Sequence, residues 1–148
     1  MSANEPISYQ VFNEIGIIDQ LASHAFTQSL PRDMTIAQFG ILNHFVRLGH
    51  EFSTPAQLAS AFQVSRPTMS NTLARLERSG LITLVPAPDD GRAKHVSITD
   101  AGRAMRDTCI QRLAEPLAEL DREVPAELFE ELLPLLAKLR MILDAMRD

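Results

Sequence analysis

Residues 54–99 read TPAQLASAFQVSRPTMSNTLARLERSGLITLVPAPDDGRAKHVSIT, and this stretch decides the fold. Its first part predicts two short helices joined by a tight turn. Thr54 and Gln57 have the spacing of a capping box at the start of one helix, and Ser65 is suited to cap the next. Gly80 then ends the second helix, because glycine is favoured just past a helix C-terminus.

A β-hairpin is predicted for the rest of this stretch. Segments 81–85 and 94–98 are rich in β-branched residues, and PAPDDG between them consists of residues that favour turns. Two helices followed by a hairpin are typical of a winged helix-turn-helix, which lays its second helix in the major groove of DNA. We therefore predict a mainly α fold with a small β-hairpin wing, in which N- and C-terminal dimerisation helices flank the winged helix-turn-helix.

Apolar residues at steps of three and four predict further helices outside this stretch. They span about 7–30, 35–48, 99–122 and 125–146. Thr35 and Gln38 form another capping box, and Thr99 caps the long helix that follows the hairpin. Pro116 and Pro134 lie inside the last two patterns, so each predicts a kink or a break, since proline removes a backbone donor.

The predicted organisation is a single subunit, residues 1–148. Within it, residues 35–99 form the winged helix-turn-helix region, and residues 5–31 and 100–147 form dimerisation helices. Residues 113–143 contain ten leucines, which two helices cannot bury against a small wing. Packing against a second copy would bury them, and helix-turn-helix proteins usually read two half-sites. An intramolecular bundle with the first helix is the alternative.

The charge is distributed unevenly along the chain. The net charge is −5, but residues 54–99 contain five basic and three acidic residues, a local charge of +2. The rest of the chain contains nine basic and sixteen acidic residues. Because the local field governs contact with phosphates, this distribution favours DNA as the partner of the winged region.

Several other classes of protein lack support in the sequence. No apolar run approaches the ~20 residues of a membrane helix, and no secretory signal is recognisable. The single cysteine excludes an internal disulfide, so we expect a cytoplasmic protein without membrane contact. No nucleophile elbow or phosphate-binding glycine loop occurs, which predicts no enzyme and no cofactor. The four histidines have no metal-ligand spacing, so we expect no metal.

The second helix of the module carries the predicted reading surface. Met69, Leu73 and Leu76 face the core, and the opposite side is short, polar or cationic, which suits base edges and phosphates. The DNA-binding residues predicted here are Ser65, Arg66, Pro67, Thr68, Ser70, Asn71 and Arg75. A solvated helix face is the alternative, above all for Arg78, whose charge also suits a helix C-terminus.

The wing adds three residues to the predicted DNA-binding set. Asp89, Asp90 and Gly91 are expected to form its tip, with Arg92 beside it. An arginine at this place can enter a narrow minor groove, where the potential is most negative. Asp90 is expected to pair with an arginine and fix its direction. Of the next two residues, Lys94 is expected to face the duplex rather than its neighbour His95.

The run GLITLVPAPDDGRAKHVSITDAG (80–102) resembles the wing signature of the MarR family of bacterial transcription regulators, and SRPTMSNTLARLERSG resembles that family's recognition helix. The resemblance implies an obligate homodimer built on the first, fifth and sixth helices. It also implies a palindromic site, commonly repression, and relief by a small aromatic or phenolic ligand or by thiol oxidation. Arg92 becomes the minor-groove arginine and Asp90 its partner. Residues 83–86 are uncharged, where many members have basic side chains.

The function predicted from the sequence is a DNA-binding transcription regulator, a homodimeric repressor of a palindromic operator that a small effector releases. One alternative is a winged-helix subunit that binds protein and not DNA. Another is a redox regulator that uses Cys109, since two arginines one turn away would lower its pKa, whereas an inert half-buried thiol is the simpler interpretation. No effector site is assigned, although a family pocket would be within reach of His24, His44, Phe45 and Arg47, and ordinary core packing explains the first three equally well.

Overall fold

The structure is a computed structural model that describes residues 4–147, with the side chain of Asp90 outside the described part. Its elements in chain order are α1 (Ile7–Ser29), α2 (Ile36–Leu48), α3 (Pro55–Phe62), α4 (Arg66–Arg78), β1 (Ile82–Ala87), β2 (Asp90–Ile98), α5 (Asp100–Glu123) and α6 (Ala126–Ala145). The predicted fold class, mainly helical with a two-stranded wing, is confirmed.

Reciprocal caps start the helices that position the module. Thr35 accepts a hydrogen bond from the backbone of Gln38 at 3.1 Å, and the Gln38 side chain accepts one from the Thr35 backbone at 3.0 Å. The same pair of bonds joins Thr54 and Gln57 at 3.1 and 2.9 Å. These bonds satisfy backbone donors that a helix start leaves unpaired, so both ends are fixed locally.

The hydrophobic core belongs mainly to the winged helix-turn-helix. The most completely buried side chains come from α2, α3, α4, the hairpin and α5, and they are Phe45, Ile41, Leu42, Leu58, Leu73, Leu76, Ile82, Val96 and Cys109. By contrast, α1 and α6 contain no buried residue. The two ends of the chain therefore present their apolar side chains to solvent in the single subunit.

The tip of the wing differs from the prediction. The strands pair from Ile82 with Ile98 outward to Pro86 with Lys94, and the register then shifts so that Ala87 pairs with Asp90. The turn is formed by residues 88–89, so Asp90 and the glycine after it belong to β2. Proline has no backbone N–H, so the ladder is disturbed at this point, and residues 91–93 form a bulge.

Neither internal proline breaks its helix. Pro116 lies inside α5 and Pro134 inside α6, and both helices continue on either side, so the prediction of a break is wrong. A proline removes one N–H from the helix, and the residues four positions earlier, Arg112 and Glu130, are exposed. Water can therefore replace the lost bond. Within residues 4–147, no helix is both long and apolar enough to cross a membrane.

Thr99 and Gly102 join the hairpin to α5. The hydroxyl of Thr99 donates to the carbonyl of Gly80 at 2.7 Å and accepts from the backbone N–H of Gly102 at 3.0 Å. The backbone of Gly102 lies so close to the carbonyl of Leu81 that a Cβ there would clash with it, and the same Cβ would lie 2.7 Å from Cγ1 of Ile98. Glycine is therefore required where α5 starts against the wing.

We expect Gly102→Ala to lower the free energy of unfolding by about 1–3 kcal/mol, because the added methyl group overpacks this junction. Chemical denaturation followed by circular dichroism measures the change. Ala101→Ser is the matched control, because Ala101 is exposed and the added hydroxyl group would lie in solvent. Equal stability of the two variants would show that the junction can relax without cost.

Candidate nucleic-acid interface

Burial divides α4 into two faces. Met69, Leu73 and Leu76 are buried in the core. The seven residues of this region predicted to bind DNA are all exposed, and they are Ser65, Arg66, Pro67, Thr68, Ser70, Asn71 and Arg75. The structure thus brings the predicted set together on one accessible surface, which we call the α4 face.

Ser65 has a structural use at the start of α4. Its Oγ accepts a hydrogen bond from the backbone N–H of Thr68 at 3.2 Å and donates one to the Thr68 hydroxyl at 2.8 Å. The cap therefore engages the hydroxyl hydrogen of Ser65, whereas that of Thr68 remains able to donate to a phosphate or a base. Arg66 and Pro67 follow in the first turn.

The cations of the α4 face are not neutralised within the described residues. The ion pairs in this part of the chain join Arg106 to Asp107, and both Arg140 and Arg147 to Asp144. None involves an arginine of α4. The acid of α4, Glu77, instead accepts a hydrogen bond from the backbone of Leu84 at 3.2 Å. The positive charge of α4 is therefore available to an anionic partner.

Arg75 and Arg78 line one recess between the end of α4 and the start of α2. Asp33 also borders this recess, but no ion pair between it and either arginine is formed. The sequence placed Arg78 on the predicted reading face and left open whether it contacts DNA or only suits the helix C-terminus. Its place beside Arg75 shows that the two charges act on the same region of space.

The wing places its two predicted cations in different settings. Lys94 is exposed in the last regular pair of the hairpin, opposite Pro86. Arg92 is exposed two residues closer to the tip, inside the bulge. The predicted pairing of Asp90 with an arginine lies outside the described residues. His95 does not share the exposure of Lys94, because its ring stacks on Phe52 with 3.9 Å between centroids and 15° between planes.

The sequence did not predict the contact between Phe52 and His95. Phe52 precedes the third predicted helix in a short loop, and 43 positions separate it from His95. No periodicity or capping pattern links the two residues. The pairing of Ser53 with Val96 brings them together, through hydrogen bonds of 2.9 and 2.7 Å.

A cleft of about 530 Å³ lies beside the module, between α2 and α3. Its wall includes His44, His50, Phe52 and Arg147. Burial lowers the pKa of His44, the charges of Arg47 and Arg147 and the neighbouring His50 lower it further, and Asp144 opposes them. His44 therefore favours its neutral form. A neighbouring cleft shares His44 and adds Arg47.

Only two of the four residues predicted to reach a family pocket line these clefts. His44 and Arg47 do so. Phe45 is fully buried in the core, and His24 is exposed on α1, where it lies 3.3 Å from the amide of Gln28. For Phe45, the alternative of ordinary core packing is therefore the correct one.

Cys109 does not have the setting of a reactive thiol. It is fully buried rather than half-buried, and burial raises the pKa of its thiol. The expectation that neighbouring arginines would lower this pKa is wrong for Arg106, whose Nε donates to Asn43 at 3.2 Å while its Nη1 pairs with Asp107. Because the thiolate is the reactive form, this burial disfavours redox control. Across residues 4–147, no cluster of three or more histidine, cysteine or carboxylate side chains is suited to hold a metal.

Comparison with known proteins agrees with this geometry. The family model described as "MarR family" matches residues 32–93. The transcriptional regulator PecS of Dickeya dadantii (strain 3937) is 27% identical over 116 residues, which cover 78% of this chain and 66% of PecS. The chain thus spans about two thirds of the length of that relative.

Solved structures share the fold over nearly the whole chain. Wild-type apo MarR from E. coli is 27% identical with a TM-score of 0.75, covering 91% of this chain and 97% of that one. A MarR mutant from E. coli complexed with operator DNA is 26% identical with a TM-score of 0.71, covering 91% and 99%. The organohalide-sensing regulator RdhR, bound to 2,4-dichlorophenol, is 20% identical with a TM-score of 0.72, covering 93% and 81%.

The fold, the exposed α4 face and the wing define a winged-helix transcription regulator. Residues 32–93 match the MarR family model, and the chain is similar in sequence and in fold to regulators of that family.

Proposed function

We propose that this protein is a homodimeric repressor that binds a short palindrome in double-stranded DNA and that a small molecule releases it. The observation that carries the proposal is the α4 face. Its hydrogen-bonding and cationic side chains are exposed together, and no described acid pairs with its arginines. The MarR mutant complexed with operator DNA, which has the same fold, supports this use of the face.

The side chains of the proposed interface have different tasks. Asn71 and Arg75 are suited to read adenine and guanine edges in the major groove, since both side chains can form bidentate hydrogen bonds. Arg66 and the hydroxyls at the start of α4 are suited to phosphate oxygens. Arg92 reaches the flanking minor groove and Lys94 the backbone beside it. Asp90 belongs to the same site as the partner of Arg92.

We expect Asn71→Ala and Arg75→Ala each to weaken binding about 5- to 150-fold, the equivalent of ~1–3 kcal/mol for one bidentate contact. The target is the genomic fragment that the purified wild type retains best, and fluorescence anisotropy measures its affinity. Wild-type affinity should fall steeply with salt, with a log–log slope of about 0.9 for each neutralised phosphate.

Arg122→Ala is the matched control for this experiment, because it removes the same charge from an exposed position near the end of α5. Its affinity should equal that of the wild type. A reporter that adjoins the retained fragment should be repressed by the wild type and not by Arg75→Ala. If the wild type retains no DNA at low salt, the winged-helix subunit that binds protein is the correct alternative.

The dimer is inferred from apolar surface that the single chain leaves uncovered. Along α6, Leu128, Leu135 and Ile142 recur every seven residues, and 47%, 65% and 51% of their respective surfaces are exposed. Exposed apolar residues also follow α1 and the second half of α5. An apolar surface of this extent marks an interface in a water-exposed protein. A second copy would cover this surface, with residues 5–31 and 100–147 as the dimerisation helices. The dimer would then present two α4 faces about one helical turn of DNA apart.

We expect the wild type to sediment at twice its chain mass of 16.4 kDa, and Leu135→Glu with Ile142→Glu to sediment as a single chain. The two carboxylates would have to be buried in the interface, which costs more than the contact gains. Glu130→Lys changes charge on another face of α6 and should remain dimeric. A wild type that is monomeric at micromolar concentration would refute the dimer.

The cleft at His44 is the proposed effector site. Aromatic rings of His44, His50 and Phe52 border it, so it suits a small aromatic or phenolic molecule. Arg147 also lines it but is paired with Asp144 at 3.1 Å, and Glu51 adds an acid to the wall, so an acidic group on the ligand would have to compete with Asp144 for Arg147. A neutral His44 leaves a hydrogen-bonding ring at this place without a competing charge.

We expect 2-hydroxybenzoate, used as the probe, to release the wild type from the retained fragment in the anisotropy assay. His44→Ala should need a higher concentration of the probe, because the ring that faces the cleft is lost. The exposed His24→Ala on α1 is the matched control and should respond like the wild type. Equal responses of the two variants would place the effector elsewhere.

A further inference from the structure

We propose that Phe52 is a positioning residue, which holds the wing in the orientation that reaches DNA by stacking on His95. The inference rests on the proposed DNA-binding function and names a contact on which that function depends. Neither residue belongs to the α4 face, and neither is assigned to contact DNA.

The stack is part of a second attachment of the wing to the rest of the subunit. The rings of Phe52 and His95 lie 3.9 Å apart, nearly parallel at 15°. The next residue, Ser53, is buried and exchanges two backbone hydrogen bonds with Val96. Strand β2 is therefore held by β1 along one edge and by the segment before α3 along the other.

The position of the stack along the hairpin gives it its importance. Val96 is fully buried and pairs with Leu84, which packs against the core. One residue further out, His95 pairs with Val85, whose surface is 49% exposed. The stack thus lies where the wing leaves the core. Only the pair of Pro86 with Lys94 separates it from the register shift.

The backbone of Arg92 is carried by the part of β2 that this contact supports. Arg92 lies in the bulge, where the backbone is not held by a regular ladder. It precedes His95 by only three residues along β2. An isolated two-stranded hairpin is only marginally stable in water, so the outer wing needs support from outside. Phe52 provides that support, although 48% of its own surface is exposed. A residue exposed to this degree contributes little to the global core, so its main effect is local.

A double-mutant cycle on DNA binding tests the proposal. Phe52→Ala should lower affinity for the retained fragment roughly 2- to 10-fold, the range that an aromatic pair contributes. In an Arg92→Ala background, the same change should have a smaller effect, because only Lys94 is then left for the wing to place. Phe52→Tyr, which keeps the ring, should restore wild-type affinity. Leu48→Ala, an exposed apolar truncation at the end of α2, is the control and should bind like the wild type.

Each outcome separates this proposal from others. An equal loss from Phe52→Ala in both backgrounds would overturn it, because the residue would then act independently of the wing. No loss at all, or no loss from Arg92→Ala itself, would also overturn it. If Phe52→Ala fails to fold, His95→Gln removes the other ring and must give the same cycle. Failure of the wild type to bind DNA would instead refute the proposed function.

Discussion

Three apolar side chains of α4, Met69, Leu73 and Leu76, are held in the core, and this contact fixes the direction in which the helix faces. Because successive residues turn by about 100° around a helix, burying one side commits the other side to solvent. The cap at Ser65 fixes the start of the helix, and the bond from Leu84 to Glu77 ties its last turn to the wing. The exposure of the α4 face is therefore a consequence of packing, and its polar residues need no contacts of their own to be presented.

The subunit has one folded centre and two incomplete ends, and α5 belongs to both. Its first half places Cys109 and Leu113 in the core, and Arg106 donates to Asn43 of α2. Its second half exposes Leu117 and Leu120, as α6 exposes its leucines. A rigid helix with one half in the core transmits any change in the position of its other half. This continuity provides a physical link between the proposed dimer interface and the orientation of the α4 face.

The features that could be predicted from the sequence are those that neighbouring residues determine. The capping boxes at Thr35 and Thr54 and the three-residue apolar stripe of α4 involve positions at most seven apart, so the spacing contained the answer. The wing tip was placed wrongly because its register depends on a proline that cannot donate. The pKa of Cys109 depends on how deeply the tertiary packing buries it, and the stack of Phe52 on His95 joins distant segments. Such contacts are set by the tertiary fold.

The acidic character of the whole chain does not oppose the proposed interface, because charges act over short distances. At physiological ionic strength, exposed charges further apart than about 8–10 Å are largely screened from one another. Glu77 is the acid within α4, and its carboxylate already accepts a backbone hydrogen bond that orients it toward the wing. Strand β1 contributes no cation, since residues 82–87 are all uncharged. In the proposed interface, the cations of the wing are therefore Arg92 and Lys94 of β2, so the orientation of that single strand decides where both charges lie.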